Sequence, residues 1–281
     1  MQRARRLARQ LSRRTRDPLP SEGSVSKARR KLSFVASDTA DAQAAAAGLR
    51  ETYGEVGLAN ADVIVALGGD GLMLQTLHQV MPHGIPVYGM NFGSVGFLMN
   101  HFARADLLDR LEVALPTEIY PLSMEVVDRS GNRQKALALN EVSIFRGTYQ
   151  AAKLQILVDG ETRLDELVCD GVLLSTPAGS TAYNLSAHGP ILPIDSPLLA
   201  LTPISPFRPR RWRGAILNNR AVVTFRTREA EKRPVNAVAD NVEFQNVLDV
   251  TVREDRQSGV TLLFDPGTSL EERILIEQFR Y

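Results

Sequence analysis

The sequence predicts an α/β fold: a Rossmann-like parallel-sheet domain first, then a β-rich, sandwich-like domain. Three observations predict it. Strand-like and helix-like segments alternate over residues 32–114, as βαβ units do. The run Ala61–Leu67 (ADVIVAL) is almost wholly apolar, as in a central parallel strand covered on both faces. After Pro116 the texture changes to short segments separated by turn signals such as Ser130-Gly131 and Asp159-Gly160.

Taken in order, residues 1–31 are set apart by charge. They hold 11 of the 33 Lys/Arg and carry +9, whereas the remainder carries −8. Ala4, Leu7, Ala8 and Leu11 have helical spacing. An Arg-rich transit segment, an anionic-surface contact and a basic disordered extension all fit. The extension is the expectation adopted. An acidic body gives nucleic acid no purchase outside the tail, and no apolar run approaches the roughly 18 residues that span a bilayer. We therefore expect no nucleic-acid partner, no membrane and a cytoplasmic protein. Cys169 is the single cysteine, so an internal disulfide is excluded.

Leu32–Ser37 reads as the first strand. Ser37 or Asp38 can cap a helix running to Tyr53, with Gly54 past its end. Ala61–Leu67 is the second strand, Leu72–Val80 a helix, Ile85–Met90 the third strand and Arg104–Ala114 a helix. The β-rich part is expected to contain strands at Leu122–Val127, Leu137–Phe145, Lys153–Val158, Gly171–Ser175, Ala215–Leu217, Arg220–Thr227, Val247–Arg253 and Val260–Phe264. Ser269–Phe279 reads as a final helix. The implied division is 32–119 for the α/β domain and 120–265 for the β-rich domain.

Chemistry concentrates where strands end. Gly68-Gly69-Asp70-Gly71 follows the apolar second strand, at the carboxyl edge where open α/β sheets bind ligands. Glycines permit positive φ and close approach of a phosphate, the next helix offers its positive end, and Asp70 can accept a proton from an attacking hydroxyl or help organise a divalent cation. Asn91-Phe92-Gly93-Ser94-Val95-Gly96 follows the third strand, with Phe97 and Leu98 as core residues. Asn140-Glu141 offers donors and acceptors suited to a sugar. The densest segment is Asp170 through Gly189: Ser180, Thr181, Tyr183 and Ser186 present hydroxyls, Ala182 lets a planar ring lie close, and His188 follows. His78, His83 and His101 lack metal-site spacing and read as surface or helix-end residues. The Arg208–Arg213 run could bind triphosphate or a partner subunit, but a solvated loop is the reading adopted. Each segment also has a purely structural reading as a turn or cap.

Together, GGDG, the NxGxxGFL pattern at Asn91–Leu98, Asn140-Glu141 and the TPxGSTAY pattern at Thr176–Tyr183 resemble the NAD kinases, over roughly residues 32–281. GGDG alone is shared with lipid kinases and phosphofructokinases. The resemblance implies transfer of the γ-phosphate of ATP, or of polyphosphate, to the 2′-hydroxyl of the adenosine ribose of NAD. It implies a divalent cation, Mg²⁺, arriving with ATP, and self-association into a homodimer or homotetramer. It implies Asp70 as catalytic acid/base, phosphate loops at Gly68, Gly69, Gly71, Gly93 and Gly96, and residues 266–281 returning to the first domain. Asp70, Gly71, Asn91, Phe92, Asn140, Glu141, Asp170, Ser180, Thr181, Ala182, Tyr183, Ser186, His188 and Asp240 would surround the dinucleotide. Two positions depart from the family: Ala178, where Thr is common, and Asn241, where Gly usually follows the aspartate.

Overall fold

The computed structural model describes residues 30–92 and 96–267 together with the single positions 272, 275 and 279. The expectations for residues 1–29, Gly93 and most of the final helix lie outside the described residues.

The first sheet contains β1 (Leu32–Ala36), β2 (Val63–Gly68), β3 (Val87–Asn91), β4 (Asn100–His101), β5 (Leu115–Ile119) and β18 (Val260–Phe264). Its order is β1-β2-β3-β18-β5, with β4 beside the upper end of β3. β1, β2, β3 and β18 run parallel and β5 antiparallel. Successive residues of β2 point to opposite faces. Val63, Val65 and Leu67 meet Ala45 and Leu49 of α1 (Ala40–Tyr53) and Leu107 and Leu111 of α3 (Leu107–Val113). Ile64 and Ala66 meet Met73 and Leu77 of α2 (Asp70–Val80). Two-sided cover is why this strand reads as an unbroken apolar run.

The remaining strands form two antiparallel sheets. One has the order β10-β9-β14-β17-β6-β7: β6 (Leu122–Asp128), β7 (Arg133–Ala138), β9 (Ala152–Val158), β10 (Glu161–Cys169), β14 (Val223–Thr227) and β17 (Val247–Glu254). The other has the order β13-β12-β11-β8-β15-β16: β8 (Glu141–Arg146), β11 (Gly171–Ser175), β12 (Leu198–Ile204), β13 (Ala215–Asn218), β15 (Val235–Ala239) and β16 (Val242–Phe244). Inner faces of both sheets share one core, including Met124, Ile156, Phe225, Ile144, Leu174 and Leu201. The second unit is thus a sandwich. No helix among the described residues is long and apolar enough to cross a membrane.

The structure corrects four expectations. Val260–Phe264 belongs to the first sheet rather than the sandwich. Asn100 helps hold it there, its Nδ2 donating to the Leu263 carbonyl at 2.9 Å while its Oδ1 accepts from the Asp265 amide at 3.0 Å. Leu137–Phe145 is two strands in different sheets, because the chain crosses from one to the other at Leu139-Asn140. Thr39, rather than Ser37 or Asp38, precedes α1, and no side chain caps it; Ser37 Oγ bonds Thr39 Oγ1 instead. Six strands lacked a sequence signal: Asn100–His101 has only two residues, Leu115–Ile119 is mostly exposed and contains Pro116, Glu161–Cys169 is mostly exposed, Leu198–Ile204 contains Pro203, and Val235–Ala239 and Val242–Phe244 are short. Pro203 is tolerated because it lies past the end of β13, whose pairing stops at Leu201.

Candidate functional site

The site begins where β2 ends. Gly68 pairs in register with Asn91, so the carboxyl ends of β2 and β3 lie side by side, and the Phe92 amide closes the step onto the Gly68 carbonyl at 3.0 Å. α2 starts at Asp70 itself, two residues earlier than its apolar pattern suggests. Its first intrahelical bond runs from the Met73 amide to the Gly69 carbonyl. Amides ahead of it point out of the positive end of the helix.

The glycines here do not work through positive φ, which none of Gly68, Gly69, Gly71 or Gly96 adopts. They work through the side chain they lack. A methyl on Gly68 would press on Leu72 and Ser37, whereas Gly69 and Gly71 face open space. A methyl on Gly96 would overlap the Asp70 carboxylate. That carboxylate is clamped by two amides, Phe97 N–H to Oδ2 at 2.8 Å and Leu98 N–H to Oδ1 at 3.0 Å. Asp70 is half-buried and held in one orientation. Phe92 is half-buried too, its ring 4.2 Å from that of Phe102.

A second cluster forms where the chain crosses between sheets. The Asn140 carbonyl accepts from the Thr176 amide at 3.0 Å, and Thr176 Oγ1 donates to the Leu139 carbonyl at 2.7 Å. Gly179 packs so closely on the Asn140 backbone that a methyl group would overlap it. From the other side, Asp240 holds the same turn. Its Oδ2 accepts from the Leu139 amide at 2.7 Å, and its Oδ1 from the amides of Asn140 and Glu141 at 3.0 and 3.2 Å. Its side chain is fully buried. His78 Nε2, on α2, contacts Oδ2 at 2.7 Å. The Asp240 carboxylate thus accepts from three backbone amides and lies against His78. His78 is therefore no mere helix-end residue.

Glu141 is held at its backbone, while its Oε2 is buried with no hydrogen-bond partner among the described residues. Burial, reinforced by the nearby Asp240 charge, pushes its carboxyl up to about 7.

The Thr176–Tyr183 loop divides by depth. Ser180 is fully buried; its hydroxyl donates to the Pro177 carbonyl at 2.7 Å and accepts from the Leu192 amide at 3.0 Å. These bonds tie it into the loop. Asn184, not foreseen, is fully buried and ties the loop together, donating to the carbonyls of Ser180 and Pro190 and accepting from Thr202 Oγ1 at 2.7 Å. Thr181 and Ala182 are half-buried; Tyr183, Ser186 and His188 are exposed. Ala178 is buried in a core cluster with Leu139, Met73 and Leu77, so a hydroxyl at that position is not needed for packing. Tyr183 and Asp170 share an open cavity of about 400 Å³, floored by Phe145 and Ile204. Asp170 pairs with Arg146 at 2.7 Å.

Comparison with known proteins decides the family. The ATP-NAD kinase N-terminal domain model matches residues 1–111 and the C-terminal domain model residues 139–256. The chain belongs to the ATP-NAD kinase family. The NAD kinase of Mesorhizobium japonicum is 58% identical over 92% of this chain and 100% of its own length. That of Caulobacter vibrioides is 57% identical over 89% and 96%. A yeast NADH kinase solved with NADH is 27% identical, with a TM-score of 0.66 over 77% of this chain and 65% of its own. An Archaeoglobus fulgidus NAD kinase solved with ATP shares the fold at 22% identity, with a TM-score of 0.72 over 88% of this chain and 98% of its own.

Proposed function

We infer that the chain transfers the γ-phosphoryl group of ATP to the 2′-hydroxyl of the adenosine ribose of NAD, yielding NADP and ADP. The observation that carries the mechanism is the Asp70 carboxylate, fixed by two amides at the start of α2. In the reaction a bond forms between the ribose 2′-oxygen and the γ-phosphorus, and the γ-phosphorus to β-bridging-oxygen bond breaks. Asp70 takes the hydroxyl proton. Such transfer depends on positioning and charge stabilisation more than on covalent work by protein. Open space over Gly69 and Gly71 admits phosphate to the first-turn amides of α2. Glu141 Oε2 lacks a hydrogen-bond donor among the described residues, which a ribose hydroxyl supplies. Asp170 and Tyr183 line the cavity that takes the far part of the dinucleotide.

Among the described residues no group of three or more His, Cys, Asp or Glu is arranged to hold a metal. The divalent cation, Mg²⁺, is proposed to enter as part of the substrate on the phosphate oxygens, where it neutralises charge. The protein is proposed to work in the cytoplasm as a homodimer or homotetramer.

The test is a coupled assay with NAD, ATP and Mg²⁺, in which an NADP-specific dehydrogenase reads the product. Asp70→Asn is expected to lower turnover about 10²–10⁴-fold while calorimetry shows NAD still bound. Wild-type turnover in that variant refutes the proton-acceptor role.

A further inference from the structure

We infer that His78 and Asp240 form a brace that sets the catalytic helix against the substrate-holding turn, making both positioning residues. This rests on the phosphoryl-transfer reading above. α2 carries Asp70 at one end and His78 eight residues on, about 12 Å along its axis. His78 Nε2 lies 2.7 Å from Asp240 Oδ2, and with the proton on that nitrogen it donates to the carboxylate. The same carboxylate accepts the amides of Leu139, Asn140 and Glu141. Asp240 in turn hangs at positive φ between β15 and β16, and its own amide returns to the Glu141 carbonyl at 3.2 Å. One buried side chain, carried between β15 and β16, thus bonds two elements far from it in sequence.

Apolar contact alone does not fix their relative position. Met73 and Leu77 of α2 pack in one cluster with Leu139 and Ala178, contacts that carry no directional bond. A directional bond to a buried charge stops sliding along the helix axis. The distance that matters is from Asp70, on the helix, to a ribose held at Asn140-Glu141, on the turn. Displacements of an ångström in such a distance are enough to slow transfer about 100-fold.

Three variants test the brace in the NADP assay, each measured well below its melting temperature. His78→Ala is expected to lower kcat 10- to 100-fold with KM for NAD changed less than threefold. His78→Gln, which keeps an N–H donor near the place of Nε2, is expected to recover most of that loss. Asp240→Asn is expected to resemble His78→Ala, and the double variant His78→Ala/Asp240→Asn to be no slower than the worse single one. Hydrogen exchange at the amides of Leu139, Asn140 and Glu141 gives a readout independent of turnover: faster in His78→Ala, near wild type in His78→Gln. Lower melting temperature with wild-type kcat and wild-type exchange would overturn the brace. The wild-type protein is the control for the function itself. If it made no NADP, the phosphoryl-transfer reading would fall, and the exchange pattern would still decide whether the brace exists.

Discussion

Two turns build this site, and each is clamped by an aspartate, but the aspartate belongs to different owners. At Gly68–Gly71 the carboxylate is the functional residue's own: Asp70 receives the amides of Phe97 and Leu98, 27 and 28 residues later. At Leu139–Glu141 the functional residues supply the amides, and the carboxylate comes from Asp240, about 100 residues away. The first turn orients a reactive group and leaves its surroundings open. The second buries the holding charge completely and leaves the Glu141 side chain short of a donor among the described residues. On the proposed mechanism, reactive geometry is assembled within the first sheet and its helices, whereas substrate-holding geometry is assembled by the sandwich and tied to them through α2.

The comparison can be broken most forcefully at its glycines. Gly179→Ala puts a methyl group into the Asn140 backbone, which has no flexible end to move aside. We expect a loss of about 3 kcal/mol, the upper end for overpacking, seen in chemical denaturation, with NAD affinity weakened at least tenfold by calorimetry. Gly71→Ala faces open space and should unfold no more easily than wild type, yet raise KM for ATP. Equal denaturation midpoints for both variants would erase the distinction between a glycine required by the protein and one required by its ligand.

Glu141 sharpens the comparison through pH. Its carboxyl is raised from 4.5 to about 7 by burial and by Asp240, so the folded chain holds a proton that the unfolded chain has released between those values. Stability from this group therefore declines as pH rises from about 4.5 to about 7 and is level above. Glu141→Gln removes the titration. It should be more stable than wild type at pH 8 by about 1–2 kcal/mol, less than the full linkage value because a buried amide replaces the acid. The gain should vanish near pH 4. Ribose hydroxyls favour the ionised acceptor, so wild-type NAD affinity should tighten as pH rises through 7 while the variant stays flat. Parallel pH profiles for the two proteins would remove Glu141 from the ribose contact.

These contrasts also explain what was legible in the sequence. Asp70 and its glycines are local: strand, turn and helix follow one another, and the apolar run of β2 announces where the turn must fall. Asn140 and Glu141 were visible as residues, but not the sheet crossing that exposes them, because Leu137–Phe145 is apolar enough to read as one strand. Asp240 was visible but not its bonds to the Leu139–Glu141 amides, since these lie about 100 residues away and no spacing rule joins them. His78 carries no signal beyond a polar position on α2. Ser180 and Asn184 show the remaining ambiguity: a small polar residue in a rich loop can face the ligand or hold the loop, and only burial tells which.

The smallest expected effect comes from the rim of the site. Arg146 and Asp170 pair at 2.7 Å, yet their side chains are 37% and 45% exposed. Water screens such a pair, and measured values for exposed pairs run from about 0 to 1 kcal/mol. Arg146→Ala should accordingly shift the melting temperature by no more than about 2 °C, since a 30.9 kDa chain has a large unfolding entropy. Its effect should appear in binding instead. Arg146 fixes which way Asp170 points into the cavity shared with Tyr183, and KM for NAD should rise a few-fold with kcat unchanged. That split is the reverse of the one expected at His78, where kcat moves and KM does not. A buried brace governs where the reacting atoms sit, whereas an exposed ion pair governs only how readily the dinucleotide is held. Should Arg146→Ala lower kcat instead, the rim would have to be coupled to the helix of Asp70, and the division between reactive and holding turns would not stand.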